Sequence, residues 1–448
     1  MKVVVVGGGF AGIAAATFLQ ERRHEVTLLE RRGVLGGRAT SFPDAVSGED
    51  VDNGTHLMIG AYRETLDLVR RAGAEDLLLV QERLHIDYRD DRGWSVLDCP
   101  PLPAPLHLLA GLMGLRLPWR ARLDALRLGL AARFERPPAG TVTEWFDRLK
   151  QGADVRRLLW GPLATAILNE TPDRAAAVLF YNVYRAAFLD SAAASRLVFL
   201  RKGYGRLLDR LGVYLEARGG RIVRRARASA IRVEDGAVTG VAYAQRPLER
   251  DDIVRGVQAK GARIDADAAV AAVPWPALPA LLPASWRDDP AFAAASRLTG
   301  SPIVSIEMWL DQAVVDRTMV GLRDSEVEWV FDKGRMYGRD GPPQHLAFII
   351  SAAHRSVPRP NAELSAMAED ALRRYFPAMA GARVTRTLVL REPDATFSCD
   401  PASDALRPGP ATPIRGLFLA GDWTATGLPA TIEGAVRSGR EAARRIDA

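Results

Sequence analysis

Gly7, Gly9 and Gly12 stand in the spacing G-x-G-x-x-G, which lets a backbone wrap closely around a pyrophosphate. Gly7 permits a tight turn, Gly9 lets the backbone approach the phosphates, and Gly12 allows close packing of helix on strand. Phe10 and Ala11 open that helix, whose free N–H groups point towards the anion. Alone, the spacing also fits an ordinary glycine turn. Glu30 gives it meaning: a carboxylate at the end of the second strand accepts both hydroxyls of an adenosine ribose and disfavours a 2′-phosphate. Arg31, its neighbour, is grouped with the same nucleotide pocket. Gly36-Gly37-Arg38 follows, where two glycines allow a turn at close quarters and the guanidinium can reach phosphates.

A third group of residues lies far away in the chain. The apolar stretch Leu417-Phe418-Leu419-Ala420 runs into Gly421-Asp422, placing a carboxylate where the ribityl chain of a flavin would pass. Thr431 and Ile432 begin a helix whose positive end favours negative charge at N1 and O2 of a reduced flavin. Together the three groups describe an FAD site. No second G-x-G-x-x-G occurs, so no separate nicotinamide site is expected and the electrons come from elsewhere.

The elements that must carry these residues are those of an α/β protein. Residues 2–6 read as a strand buried on both faces, followed by a helix over 11–22 and a second strand at 25–29. Residues 62–73 read as a helix ending at Gly73. Residues 99–200 are helical, apolar and rich in arginine. Strand signals return at 221–224, 228–233 and 237–243, around the Glu234-Asp235-Gly236 turn, and again at 264–273. Alternation over 300–350 predicts an antiparallel sheet, and a helix is expected over 431–446. The resulting division is a Rossmann-type nucleotide-binding domain assembled from residues 1–90, 201–280 and 391–448. It is interleaved with a helical cap (91–200) and a substrate-domain sheet (281–390).

The chain has 448 residues, enough for two or more domains, with an ordinary soluble balance of 48% hydrophobic and 25% charged residues. Its net charge of +6 comes from arginines spread along the chain, without a basic run interleaved with aromatics, and no nucleic-acid partner is expected. Cys99 and Cys399 match no metal spacing and read as buried reduced thiols, as in a cytoplasmic protein; no metal is expected. The longest uncharged run, 268–286, is broken by four prolines and cannot span a bilayer as a helix. Pro101–Leu117, rich in leucine and followed by Arg120 and Arg122, fits a seat on a membrane surface, at the inner face of the cytoplasmic membrane, and equally a buried hairpin.

These motifs resemble the FAD-dependent amine-oxidase and phytoene-desaturase superfamily over essentially the whole chain. The resemblance implies backbone contact of Ala228 with adenine, and approach of Gly54 and Thr55 to the flavin ring. Val51-Asp52-Asn53-Gly54-Thr55-His56, Pro101–His107 and above all Gly421–Ala435 further resemble the squalene-associated branch, the hydroxysqualene dehydroxylases of bacterial hopanoid biosynthesis. That branch implies reduction of hydroxysqualene to squalene by reduced FAD, with loss of water. A long apolar tunnel, an acid near the leaving hydroxyl and a cation-tolerant wall would be needed. His56, which titrates near neutrality, is the leading proton donor, with Asp52 and Asn53 beside it and Asp332 and Glu170 behind. His56 also fits a structural role bonded to backbone. Trp145, Phe146, Trp160, Phe180, Tyr181, Tyr184 and Phe188 offer cation-facing rings or plain core packing. Two other functions share the fold: a polyene desaturase or amine oxidase running the flavin oxidatively, and a non-enzymatic prenyl-binding protein like the GDP-dissociation inhibitors. The sequence leaves the oligomeric state open.

Overall fold

Four consecutive valines have no polar face, and Val3–Val6 are accordingly buried in the middle of a five-stranded parallel sheet. The computed structural model describes residues 1–245 and 260–447; residues 246–259, within the stretch 201–280, and residue 448 lie outside it. The sheet order is Arg221–Val223, β2 (Glu25–Leu29), β1 (Lys2–Val6), Ala268–Ala271 and Leu417–Leu419. Val3 pairs with Val26 on one side and with Ala268 on the other. The α/β class expected from the sequence is the one observed.

The stretch 264–273 is two strands rather than one. Lys260–Asp265 completes a small antiparallel sheet with Ala226–Glu234 and Ala237–Gln245, whereas Ala268–Ala271 joins the parallel sheet. The switch falls at Ala266 and Asp267, whose N–H groups donate to Thr239 O and Lys2 O, one in each sheet.

A seven-stranded sheet forms the second body, in the order Val384–Phe397, Gly300–Leu310, Gln344–Ile350, Trp329–Asp332, Met319–Leu322, His85–Asp90 and Gly93–Asp98. It reaches back to a hairpin that the sequence division places in the first two segments. Its central strands are buried on both faces. Val304, Ile306, Met308 and Leu310 pack with Leu364, Ala368 and Leu372 of the helix Asn361–Tyr375. The alternate residues Ser305, Glu307 and Trp309 point the other way, towards the nucleotide-binding sheet's side of the molecule.

Helices close the structure. α1 (Phe10–Glu21) packs on the helix Ile432–Ile446 so closely that a Cβ on Gly439 would stand 2.1 Å from Ala11 O. α2 (Arg63–Arg71) starts against the same C-terminal helix. In the cap, α3 (Leu106–Gly111) and α4 (Trp119–Phe134) precede Val142–Arg148 and Ala177–Tyr184. Trp145, Phe146, Trp160, Phe180, Tyr181 and Tyr184 are buried and pack mainly against one another, so packing is their observed role; Phe188 lies against Tyr184. Cys99 and Cys399 are free and buried, and burial pushes both thiols up to about 12. Among the described residues no helix is long and apolar enough to cross a membrane.

Glu433 is almost fully buried, and its carboxylate accepts from Glu64 N and Thr65 N at 3.0 Å and from Thr65 Oγ1 at 2.8 Å. It caps α2 from another part of the chain, satisfying N–H groups that have no partner within their helix. Glu433→Ala leaves these donors without that acceptor and should lower stability by roughly 2–4 kcal/mol. A shift of the urea midpoint checks this, with Glu433→Gln falling between the two.

Candidate active site

The glycine turn is shaped by what surrounds it. Gly7 has φ +111°, and a Cβ there would meet Ala272 O at 2.4 Å; one on Gly12 would meet Gly7 O at 1.8 Å. In front of Gly9 the nearest atom to such a Cβ is Gly36 O at 3.9 Å, leaving the approach to the helix end open. α1 starts at Phe10, has no side-chain cap and no acid in its first turn. The N–H groups of Phe10, Ala11 and Gly12 are thus left for a ligand, and the helix dipole favours an anion. Glu30, 5% exposed, accepts from Gly8 N at 2.8 Å and Arg32 N at 2.7 Å. It therefore braces the turn while keeping lone pairs for ribose hydroxyls. Arg31 stands exposed beside it. Ala226 N donates to Glu30 O at 2.8 Å, which brings Ala228 and the irregularity between Ala228 and Ala230 next to the same pocket.

The structure joins the second and third motifs. Gly36 N donates to Gly8 O at 2.7 Å, holding the Gly36-Gly37 turn over the glycine loop. Arg38 does not extend alone: Nη2 donates to Asp422 Oδ1, and Nη1 to Ala395 O at 3.0 Å. Asp422 is buried, and Gly421 N donates to Ser438 Oγ at 2.8 Å. Thr431 caps the last helix, accepting from Gly434 N at 3.0 Å, and Ile432 begins it. Thr431 thus consumes one of the free N–H groups expected at that end.

Residues 52–56 form the wall between the two sheets. Asp52 is buried and accepts four bonds: Lys333 Nζ at 2.8 Å, Tyr337 OH at 3.0 Å, Ser41 Oγ at 2.6 Å and Tyr204 N at 3.0 Å. Burial alone would raise its pKa, but Lys333 and the other donors hold it below the ordinary carboxylate value. Burial likewise works against the Lys333 ammonium, yet Asp52, Tyr337 and Glu307 outweigh it and keep the amine charged. Asn53 Nδ2 donates to Glu392 Oε2 at 3.0 Å and Arg38 O at 3.3 Å, tying this wall to the mixed sheet. Burial holds the His56 imidazole down to about 4, so the ring is neutral at neutral pH; Tyr204 stands edge-on to it at 5.2 Å. Thr55 Oγ1, His56 Nε2 and Ser305 Oγ are buried without a protein partner. A Cβ on Gly54 would lie 3.7 Å from Ser305 Oγ and 3.9 Å from His56 Nε2, so these two orphaned atoms sit around one point. Unfilled polar groups here, an uncapped helix end and an open Gly9 fit a flavin dinucleotide.

Asp332 and Glu170 are occupied elsewhere. Asp332 caps the short helix Lys333–Met336 and accepts from Gln344 Nε2, and burial raises its pKa. Glu170 accepts from Ser398 Oγ at 2.7 Å and meets His354 at 3.3 Å. Sequence reasoning misses Lys333, Tyr204, Ser305 and Glu307. It also misses His345, which lies between Glu307 at 2.8 Å and Glu49 at 3.0 Å, and stacks on Trp309. His345 with Arg339 and Trp309 holds Glu49 down to about 2. The signal was available as Ser305 and Glu307, polar residues at alternate positions of an otherwise apolar stretch, and as His345 near the start of the apolar strand Gln344–Ile350.

Lys333→Met strands the Asp52 charge in the interior and should cost roughly 3–5 kcal/mol; Asp52→Asn in the same chain should recover part of it. Urea unfolding of the two variants checks this. The neutral His56 adds a pH effect. Between about pH 6.5 and 4 the unfolded chain binds a proton there and the folded chain does not, so stability falls as pH drops through that window. Comparing unfolding of wild type and His56→Phe across the window should show a shallower slope in the variant.

The family of flavin containing amine oxidoreductases matches residues 10–447. The chain is 26% identical to 15-cis-phytoene desaturase of Synechococcus elongatus, covering 100% of this chain and 96% of that protein. It is 30% identical to hydroxysqualene dehydroxylase of Rhodopseudomonas palustris, covering 98% and 97%. An oxidoreductase from Methanosarcina mazei shares the fold, with a TM-score of 0.76 at 19% identity over 98% of this chain and 99% of that one. The chain belongs to the flavin containing amine oxidoreductases, and it is an FAD-dependent oxidoreductase.

Proposed function

We propose that this protein reduces hydroxysqualene to squalene. The observation that carries the reading is the string Gly421–Ala435, whose Gly421-Asp422 and Thr431-Ile432 lie at the site. The similarity to the R. palustris hydroxysqualene dehydroxylase over nearly both whole chains supports it. In the reaction the C–O bond breaks, the hydroxyl leaves as water after taking a proton, and a hydride forms the new C–H bond. Bound and reduced, FAD supplies that hydride.

The residues of the chain divide the remaining work. The uncapped end of α1 and the Gly9 approach bind the pyrophosphate, and Glu30 orients the ribose. Arg38 and Asp422 neutralise each other beside the cofactor and fix the turn at Gly421. Asp52 stays ionised against Lys333 and is not the acid; it positions residues 53–56. Of the unpartnered polar atoms at this wall, His56 Nε2 is the one on a ring that titrates between carboxylate and amine, and we place the delivered proton there. Its low proton affinity makes a protonated His56 a strong acid towards an allylic hydroxyl, whose departure leaves a delocalised cation.

A second reading has an observation of its own: the full-length similarity to phytoene desaturase. That reaction removes hydride from a polyene, so the direction of electron flow separates the two. Anaerobic mixing of photoreduced enzyme with hydroxysqualene should give squalene and oxidised flavin in equal amounts. A flavin that stays reduced, with no squalene formed, overturns the dehydroxylase reading; bleaching of oxidised flavin by phytoene would establish the other.

A further inference from the structure

α4 is built inside out. Its inward positions are Ala121, Ala125, Leu128, Ala131 and Ala132, mostly small. Its outward positions carry the large side chains: Trp119, Leu123, Leu126, Leu130 and Phe134 are 65%, 50%, 37%, 51% and 79% exposed. At about 100° per residue these five fall within an arc of about 80°. The segment before α4 continues the surface with Leu102, Leu106, Leu109 and Met113 exposed. Arg122 ties the two together, donating to Leu115 O at 3.2 Å and lying 3.6 Å from Met113 Sδ. Of the 14 exposed large hydrophobic residues among the described residues, nine lie in this stretch, so the apolar surface is one patch rather than a scatter.

Charge selects the occupant. Arg122 and Arg133 flank the apolar stripe on one side, Arg120 and Arg127 on the other. The one acid on the helix, Asp124, is consumed by Gly152 N at 3.0 Å and Arg127 at 3.1 Å. A second copy of the chain would bring arginines against arginines around this stripe. An anionic lipid surface takes both features at once: apolar side chains enter the acyl boundary while guanidiniums meet headgroup phosphates.

We propose that α4 and the segment from Leu102 to Met113 dock this protein on the surface of an anionic bilayer, lying in its plane without crossing it. The inference stands apart from the choice of substrate, because binding is read without any substrate present.

The test is sedimentation of the flavin-loaded protein with vesicles. Wild type should pellet with vesicles of equal parts phosphatidylcholine and phosphatidylglycerol, and less with phosphatidylcholine alone or in high salt. Leu123→Ser/Leu130→Ser/Phe134→Ser should weaken binding at least tenfold. Arg120→Gln/Arg133→Gln should remove most of the preference for phosphatidylglycerol. Val213→Ser, an exposed apolar residue on a different helix, should bind as wild type does. Retained flavin absorbance verifies folding, and Phe134→Ser alone, at the most exposed position, serves if the triple variant loses its flavin. Wild type that ignores both vesicles overturns the proposal, as does a triple variant that binds undiminished. Self-association abolished by the triple variant, without vesicle binding, also overturns it and makes the patch an interface between copies.

Discussion

Everything at the junction of the two sheets hangs on a buried charge pair. Asp52 ends the strand Asp50–Asp52, and Lys333 opens the short helix that follows Trp329–Asp332, the middle strand of the seven-stranded sheet, and neither has meaningful contact with water. Two such charges are tolerable in an interior only when each satisfies the other and the remaining lone pairs find donors. Ser41, Tyr204 and Tyr337 provide those donors. The pairing therefore sets where Asp52 must be, and with it Asn53, Gly54, Thr55 and His56. A second unit next to it, Glu49–His345–Glu307, spans the same two parts by the same means. The wall of residues 52–56 is consequently held by directional charge pairs, which resist sliding better than an apolar seam would.

The two ends of the cofactor pocket are made of different materials. At the pyrophosphate end the protein presents backbone: Gly7, Gly9, the first turn of α1 and the Gly36 amide locked to Gly8. Side chains enter mainly as braces, with Glu30 holding Gly8 in place. At the wall the reverse holds, and side chains bear the polar groups that await a partner. This division explains why the pyrophosphate end leaves so clear a pattern in the chain and the wall so faint a one.

The first two strands of the parallel sheet, the glycine turn, the hairpin around Asp235 and the last helix could all be read from local pattern, because valine runs, turn glycines and helix starts are written in adjacent residues. What could not be read depends on distant partners. Nothing near Arg38 announces Asp422, and nothing near Glu433 announces the backbone of Glu64 and Thr65. Lys333 looks like an ordinary surface lysine next to Asp332 until the fold buries it. The stretch 264–273 misled for a related reason: Asp265 and Asp267 interrupt it, but the change of sheet there depends on bonds to distant Thr239 and Lys2. The α/β class and the nucleotide end were thus legible, whereas the polar half of the wall was not.

The parallel sheet ends with Leu417–Leu419, and α1 is clasped by the helix Ile432–Ile446 through the contact of Gly439 with Ala11. The glycine turn precedes in the chain the strand and helix that enclose it, so it is synthesised well before them. A nascent chain therefore carries a half-made pocket until that later strand and helix emerge. Closure of the pocket waits for distant residues, and a chain cut short before the Gly421–Ile446 segment leaves the glycine fingerprint intact without the helix that packs over it.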